Sequence, residues 1–198
     1  ISICTVLITT QLQTQDSISV LVNNSGPYIG TAIPHDYGFD GSGIIISVID
    51  TGVDFNHPDL LGLGLDGKII GGYDFVDNDE TPQDSNGHGT QVAGIIASNG
   101  NLKGIAPNSK ILAYRVSEDG ESVSSNLIIK AIEKSINDNA DIINISLGIN
   151  QTNTKIDQIV TKAIQNNIFV VTAAGNFGPE PNTIGSPGLN PNAITVGA

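Results

Sequence analysis

Apolar positions along this chain switch repeatedly between two periods. Gly43-Ile44-Ile45-Ile46-Ser47-Val48-Ile49-Asp50 is a β-branched run with almost no polar face, the pattern of a strand buried on both sides. Lys110 to Val116, Asp141 to Gly148, Ile168 to Thr172 and Ala193 to Val196 repeat it, and Lys68-Ile69-Ile70 is a shorter instance. Between these runs the period becomes helical. Val123, Leu127, Ile128, Ala131, Ile132 and Ile136 share one face, as do Ile156, Ile159, Val160, Ala163 and Ile164, the second stripe opened by Thr154-Lys155-Ile156-Asp157 as a capping box. Another helix starts near His88, continues through Val92, Ala93, Ile95, Ile96 and Ala97, and stops by Gly100. Strand and helix in alternation predict an α/β fold, a three-layer sandwich with a mostly parallel central sheet between helices.

Bulk properties narrow the function. The 198 residues, 39% of them hydrophobic, suffice for a core of one domain or part of one. A net charge of −12 with only 8 Lys and Arg provides no basic stripe for phosphates, so nucleic acid is not an expected partner. Cys4 is the single cysteine and forms no internal disulfide, which neither requires nor forbids secretion. The apolar run Ile1 to Thr10 lacks a basic flank and a small-residue cleavage site and is too short to span a membrane; it reads as a strand.

The candidate chemistry centres on Asn86-Gly87-His88-Gly89-Thr90, where a polar glycine-rich loop becomes an apolar helix. An imidazole exchanges protons near neutral pH and needs a carboxylate to orient it. Asp50, at the C-terminal end of a buried strand, lies on the sheet edge where α/β folds gather their ligands, with one loop and one strand separating it from His88 in the chain. Gly62-Leu63-Gly64-Leu65-Asp66-Gly67 has the letters of a dinucleotide fingerprint, but a strand-like segment follows it instead of a helix, so it reads as a surface loop. Tyr73 to Asn86 is rich in oxygen donors, the ligand type of a hard cation.

Val48-Ile49-Asp50-Thr51-Gly52-Val53-Asp54, His57-Pro58-Asp59-Leu60, Asn86-Gly87-His88-Gly89-Thr90 and Ala173-Ala174-Gly175-Asn176, in this order and spacing, resemble the successive signature segments of subtilisin-like serine proteases. The resemblance runs from Tyr28 to Ala198 and implies a subtilisin-like fold and peptide-bond hydrolysis by an Asp, His and Ser triad. It assigns Asp50 to orienting His88, His88 to general base and acid, and Asn176 to oxyanion donor. Ser146, Leu147 and Gly148 match the segment that pairs with an extended substrate, and Ala174, Gly175 and Gly185 line the same pocket, whose small residues suit a large apolar side chain before the cleaved bond. His57, before a proline in a turn, is structural in this family.

The acidic loop resembles a thermitase-type calcium loop, which implies calcium held by Asp74, Asp77, Asp79, the Thr81 carbonyl and Gln83. Many relatives carry a second calcium loop between positions matching Gly94 and Gly104; Ile95 to Lys103 looks too short for it, and Gln91 stands where a second histidine is common. The family's nucleophile sits in a Gly-Thr-Ser segment, and no such tripeptide occurs here. The expectation is therefore a catalytic domain over residues 25–198, truncated before the helix that carries the nucleophile and inactive alone. Residues 1–24 would be a propeptide tail or linker. The expected partners are a protein or peptide substrate and the C-terminal remainder of the domain, in an extracellular or cell-surface setting. Two other readings remain: a non-catalytic subtilase-fold protein-binding module, separated only by sequence past Ala198, and a nucleotide-binding module.

Overall fold

The computed structural model describes residues 26–64 and 66–197, so the readings placed on residues 1–24 lie outside the described residues. The elements in chain order are α1 (Ala32–Asp36), β1 (Ile45–Asp50), β2 (Ile69–Asp74), α2 (His88–Ala97), β3 (Lys110–Arg115), α3 (Ser125–Asn137), β4 (Ile142–Ile145), α4 (Thr154–Gln165), β5 (Phe169–Ala173) and β6 (Ile194–Val196). The strands make a six-stranded sheet in the order β2-β3-β1-β4-β5-β6, and every pairing is parallel. Chain order reverses beside β1, so the crevice beyond the C-terminal ends of β1 and β4 is where loops from both halves meet.

Two apolar clusters hold helices to the two faces, and the alternation within single strands sends side chains to each. Ile46 and Val48 of β1 join Ile111 and Ala113 of β3 under Val92, Ala93 and Ala97 of α2. Ile49, Leu112 and Tyr114, one position out of phase, pack with Ile128 and Ile132 of α3 and Ile156 and Val160 of α4. Each fully buried isoleucine contributes about 1.5–3 kcal/mol of transfer free energy. Two buried hydroxyls fix α3 against β1. Ser135 Oγ donates to the Ala131 carbonyl at 2.7 Å, so the 2.7 Å contact with Ser47 Oγ must be donated by Ser47.

Several local details differ from the sequence reading. The first turn of α4 is capped by Asn153, whose side chain accepts from Lys155 N at 3.0 Å and Ile156 N at 3.3 Å, and not by Thr154. Asp157, the supposed second member of the box, instead accepts from Ser186 Oγ at 2.8 Å. Val123 packs against the core but precedes α3, which begins after Ser124. The loop at Gly62 is closed onto β2, with Ile69 N donating to Gly62 O at 3.2 Å and Gly64 N to Ile69 O at 2.8 Å.

Candidate active site

The first turn of α2 leaves orphan N–H groups, and the loops around it satisfy each one. His88 N donates to Asn86 Oδ1, Gly89 N to Thr51 Oγ1, Thr90 N to Asp84 Oδ2 and Gln91 N to Gly87 O. Asp84 is the hub. Its Oδ1 also accepts from Thr51 Oγ1, Asn86 N and Gly87 N, each at 2.9 Å, and its Oδ2 from Thr90 Oγ1 at 2.5 Å. The helix start is thereby sewn to the turn that follows β1.

Close approach completes the alignment. A Cβ on Gly89 would lie 2.1 Å from Gly52 O and 3.1 Å from Asp50 Oδ1, so only glycine lets the helix end lie flat on the strand end. There His88 Nδ1 meets Asp50 Oδ1 at 2.7 Å across 38 residues of chain. Asp50 is 0% exposed, and the same oxygen accepts from Thr51 N at 2.7 Å, while Oδ2 is buried with no partner among the described residues. Because a carboxylate only accepts, the His88 tautomer carries its proton on Nδ1 and leaves the Nε2 lone pair free. Burial pulls the imidazole pKa down, but the bond to Asp50 and the charges of Asp50 and Asp84 outweigh it, and the net shift is upward from the ordinary value of 6.5.

A cavity of about 330 Å³ opens on the other side of the sheet's switch point. It brings together Leu147, Gly148, Ala174, Gly175, Asn176 and Gly185, all singled out by sequence; Ser146 is outside its wall, with its Oγ accepting from Asn144 Nδ2 at 2.9 Å. Asn176 is exposed at the mouth. The small residue at Gly185 does not widen the space: a Cβ there would stand 1.8 Å from Ile149 O, so the glycine serves a backbone crossing.

The acidic loop is arranged around an arginine. Arg115, buried at the end of β3, donates to Asp74 Oδ2 at 2.7 Å and Asp77 Oδ2 at 2.6 Å. Burial lowers the guanidinium pKa, and the two carboxylates raise it by more. Asp79 Oδ1 accepts from Thr81 N at 2.7 Å, and Gln83 N donates to Thr81 O at 2.7 Å. No group of three or more His, Cys, Asp or Glu side chains converges as a metal site among the described residues. Gln83 Oε1, however, is a buried acceptor with no partner, so the donor chemistry fits a hard cation while Arg115 takes two of its carboxylates.

The short segment after α2 has its own anchor. Asp59, 2% exposed, accepts from Asn101 N at 2.8 Å and Leu102 N at 3.2 Å. His57 Nδ1 accepts from Asp59 N at 3.2 Å. Sequence reasoning missed the organising role of Asp84; the signal was an Asx residue just ahead of a helix start. It also missed the loop Ser117 to Ser122, which Asn86 Nδ2 ties to the histidine segment through Asp119 O at 3.0 Å. Polar loop residues of that kind have no periodicity to betray them.

The chain is 40% identical to the minor extracellular protease Vpr of Bacillus subtilis, in an alignment covering 93% of this chain and 24% of that protein. It is 43% identical to thermitase of Thermoactinomyces vulgaris over 79% of this chain and 55% of the relative. Among solved structures, a cold-adapted subtilisin-like serine proteinase superposes with a TM-score of 0.69 at 38% identity, covering 79% of this chain and 55% of that one. Sphericase superposes with a TM-score of 0.70 at 36% identity, covering 79% and 53%. The chain thus spans between about a quarter and just over half of the length of these relatives. The subtilase (peptidase S8) family signature matches residues 41–198, and the chain belongs to that family.

Proposed function

We propose that the full-length protein is a serine endopeptidase of the subtilisin type. The observation that carries this reading is the 2.7 Å bond between a fully buried strand-end carboxylate and a helix-start imidazole whose other nitrogen is free. In the reaction, His88 Nε2 takes the proton of a serine hydroxyl as that oxygen attacks the substrate carbonyl, and returns it to the leaving amine. Asp50 keeps Nδ1 protonated and stabilises the imidazolium. Asn176 donates its side-chain N–H to the developing oxyanion, a contribution of a few kcal/mol once substrate covers the cavity mouth. Ser146, Leu147 and Gly148 pair with the extended substrate backbone, and Ala174, Gly175 and Gly185 bound the pocket beside it. The serine nucleophile of the family is not among the residues assigned to the site.

The test is to express the sequence with its continuation past Ala198 and expose it to a fluorophosphonate probe, beside a His88→Ala control. Labelling that the control loses supports the triad. A folded, unlabelled full-length protein refutes it and leaves the protein-binding module.

We also propose that calcium binds the loop from Asp74 to Gln83, with Asp74, Asp77, Asp79, the Thr81 carbonyl and Gln83 as its oxygen donors. It would stiffen the loop and take no part in the proton transfers. Calorimetry checks this: a Ca²⁺ isotherm that Asp77→Asn weakens is expected, and no heat refutes it. The name of the extracellular relative supports placing this protein outside the cell; an exclusively intracellular pool of the full-length protein would refute that.

A further inference from the structure

The cavity beside Asn176 is apolar on most of its wall, yet it carries one carboxylate. Leu147, Ile149 and the half-exposed ring of Phe177 supply the apolar surface, and among the described residues Glu121 is the only charged one lining it. Among the described residues no cation pairs with Glu121, whose side chain is exposed and free of hydrogen bonds. Its backbone is nonetheless held firmly. Asp119 Oδ1 accepts from Glu121 N at 2.9 Å and Ser122 N at 2.7 Å, and those two backbone bonds, outweighing a small burial effect, help hold the Asp119 carboxyl down to about 2. Gly120, the next residue, stands against the histidine segment, where an added Cβ would be 3.7 Å from Asn86 Oδ1 and 3.8 Å from His88 Cβ. The carboxylate is therefore presented on a fixed turn between the proton-transfer pair and the cavity.

We infer that Glu121 is a specificity residue that selects a basic side chain, lysine or arginine, on the non-primed side of the cleaved bond. This rests on the endopeptidase reading and names its substrate class. A long basic side chain has the two parts that this wall requires: an aliphatic stem to cover Leu147 and Ile149 and to meet the Phe177 ring, and a cationic head to reach Glu121. A purely apolar side chain fills the same wall but leaves the carboxylate uncompensated. The net charge of −12 adds a field that favours cationic peptides at long range.

The experiment uses the full-length protein and peptides carrying lysine, norleucine or glutamate at each of the four positions before the scissile bond in turn. At one position kcat/KM for lysine should exceed that for norleucine by about threefold, the scale of an exposed charge pair, and the preference should shrink as salt is added. Glu121→Gln should bring the lysine to norleucine ratio of kcat/KM down to about one, and Glu121→Lys should shift the preference to glutamate. A lysine to norleucine ratio that is the same in wild type and Glu121→Gln, with both active, overturns the inference and leaves the endopeptidase reading intact. If no peptide is cleaved, fluorescence anisotropy of the same labelled peptides decides separately. Tighter lysine binding lost in Glu121→Gln would keep the basic-groove assignment while proteolysis fails, and equal binding would sink both.

Discussion

Replacing Gly89 by alanine sets two expectations against each other. Helix propensity favours the change, because alanine is better than glycine in a helix by about 1 kcal/mol. The structure opposes it. The new methyl would lie 2.1 Å from Gly52 O, so about 1 Å must be found between the start of α2 and the end of β1, and both partners are backbone. Such a shift would stretch the 2.7 Å His88–Asp50 bond beyond about 3.2 Å, the limit of a normal hydrogen bond. Overpacking costs about 1–3 kcal/mol and a contact this short belongs at the upper end, so the net change should be a loss of about 2 kcal/mol. Gly94 is the control. It is in the same helix and a Cβ there meets nothing within 4 Å, so Gly94→Ala should gain about 1 kcal/mol. Urea unfolding of the two variants beside wild type reads both signs, and the His88 titration by NMR reads the broken bond. A Gly89→Ala protein as stable as wild type with an unmoved His88 midpoint would refute the close-approach argument.

The His88 imidazole is raised because the bond and charge of Asp50, with Asp84, outweigh burial; Asp50→Asn should therefore move its NMR midpoint below 6.5, and an unchanged midpoint would contradict the assignment. Since the folded value is raised, the ion pair's contribution to stability is complete below pH 6.5 and fades as pH rises through the folded midpoint, while the neutral imidazole that the proposed mechanism requires grows over the same interval. Asp59→Ala should cost about 2–3 kcal/mol in urea unfolding by stranding Asn101 N and Leu102 N, and a loss under 0.5 kcal/mol would show that water replaces the carboxylate freely. Asp119→Ala should speed amide exchange at Glu121 and Ser122, and in wild type the same loosening should appear only as pH falls toward about 2; exchange equal to wild type at pH 7 would refute the turn's dependence on that carboxylate.

Most of the fold was legible because burial writes a period into the chain. Ile46 to Ile49 and the stripe of α3 pack against core, and the polar residues buried there, Ser47 and Ser135, are tolerated because they bond to each other. The positions of Asp50 and His88 followed from strand-end and helix-start chemistry. What escaped was set by partners distant in sequence. Asp157, read as the second member of a capping box, accepts instead from Ser186, twenty-nine residues on, and no local pattern announces that partner. Glu121 gains its place from a turn built by Asp119 and Ser117 and docked through Asn86. The use of Asp74 and Asp77 likewise depended on Arg115, which is distant in sequence but adjacent in the sheet.

The reversal of chain order beside β1 divides labour in the molecule. Asp50, Asp84 and His88 belong to the segment that builds one side of the sheet, and the cavity residues from Leu147 to Gly185 belong to the segment that builds the other. Among the described residues no side-chain hydrogen bond joins Asp50, Asp84 or His88 to the residues from Leu147 to Gly185, so substitutions across the divide should combine additively, within about 0.5 kcal/mol. Glu121 is the exception: it reaches the cavity from the half that carries His88, so a substitution there can be felt on both sides of the divide through the turn that Asn86 holds.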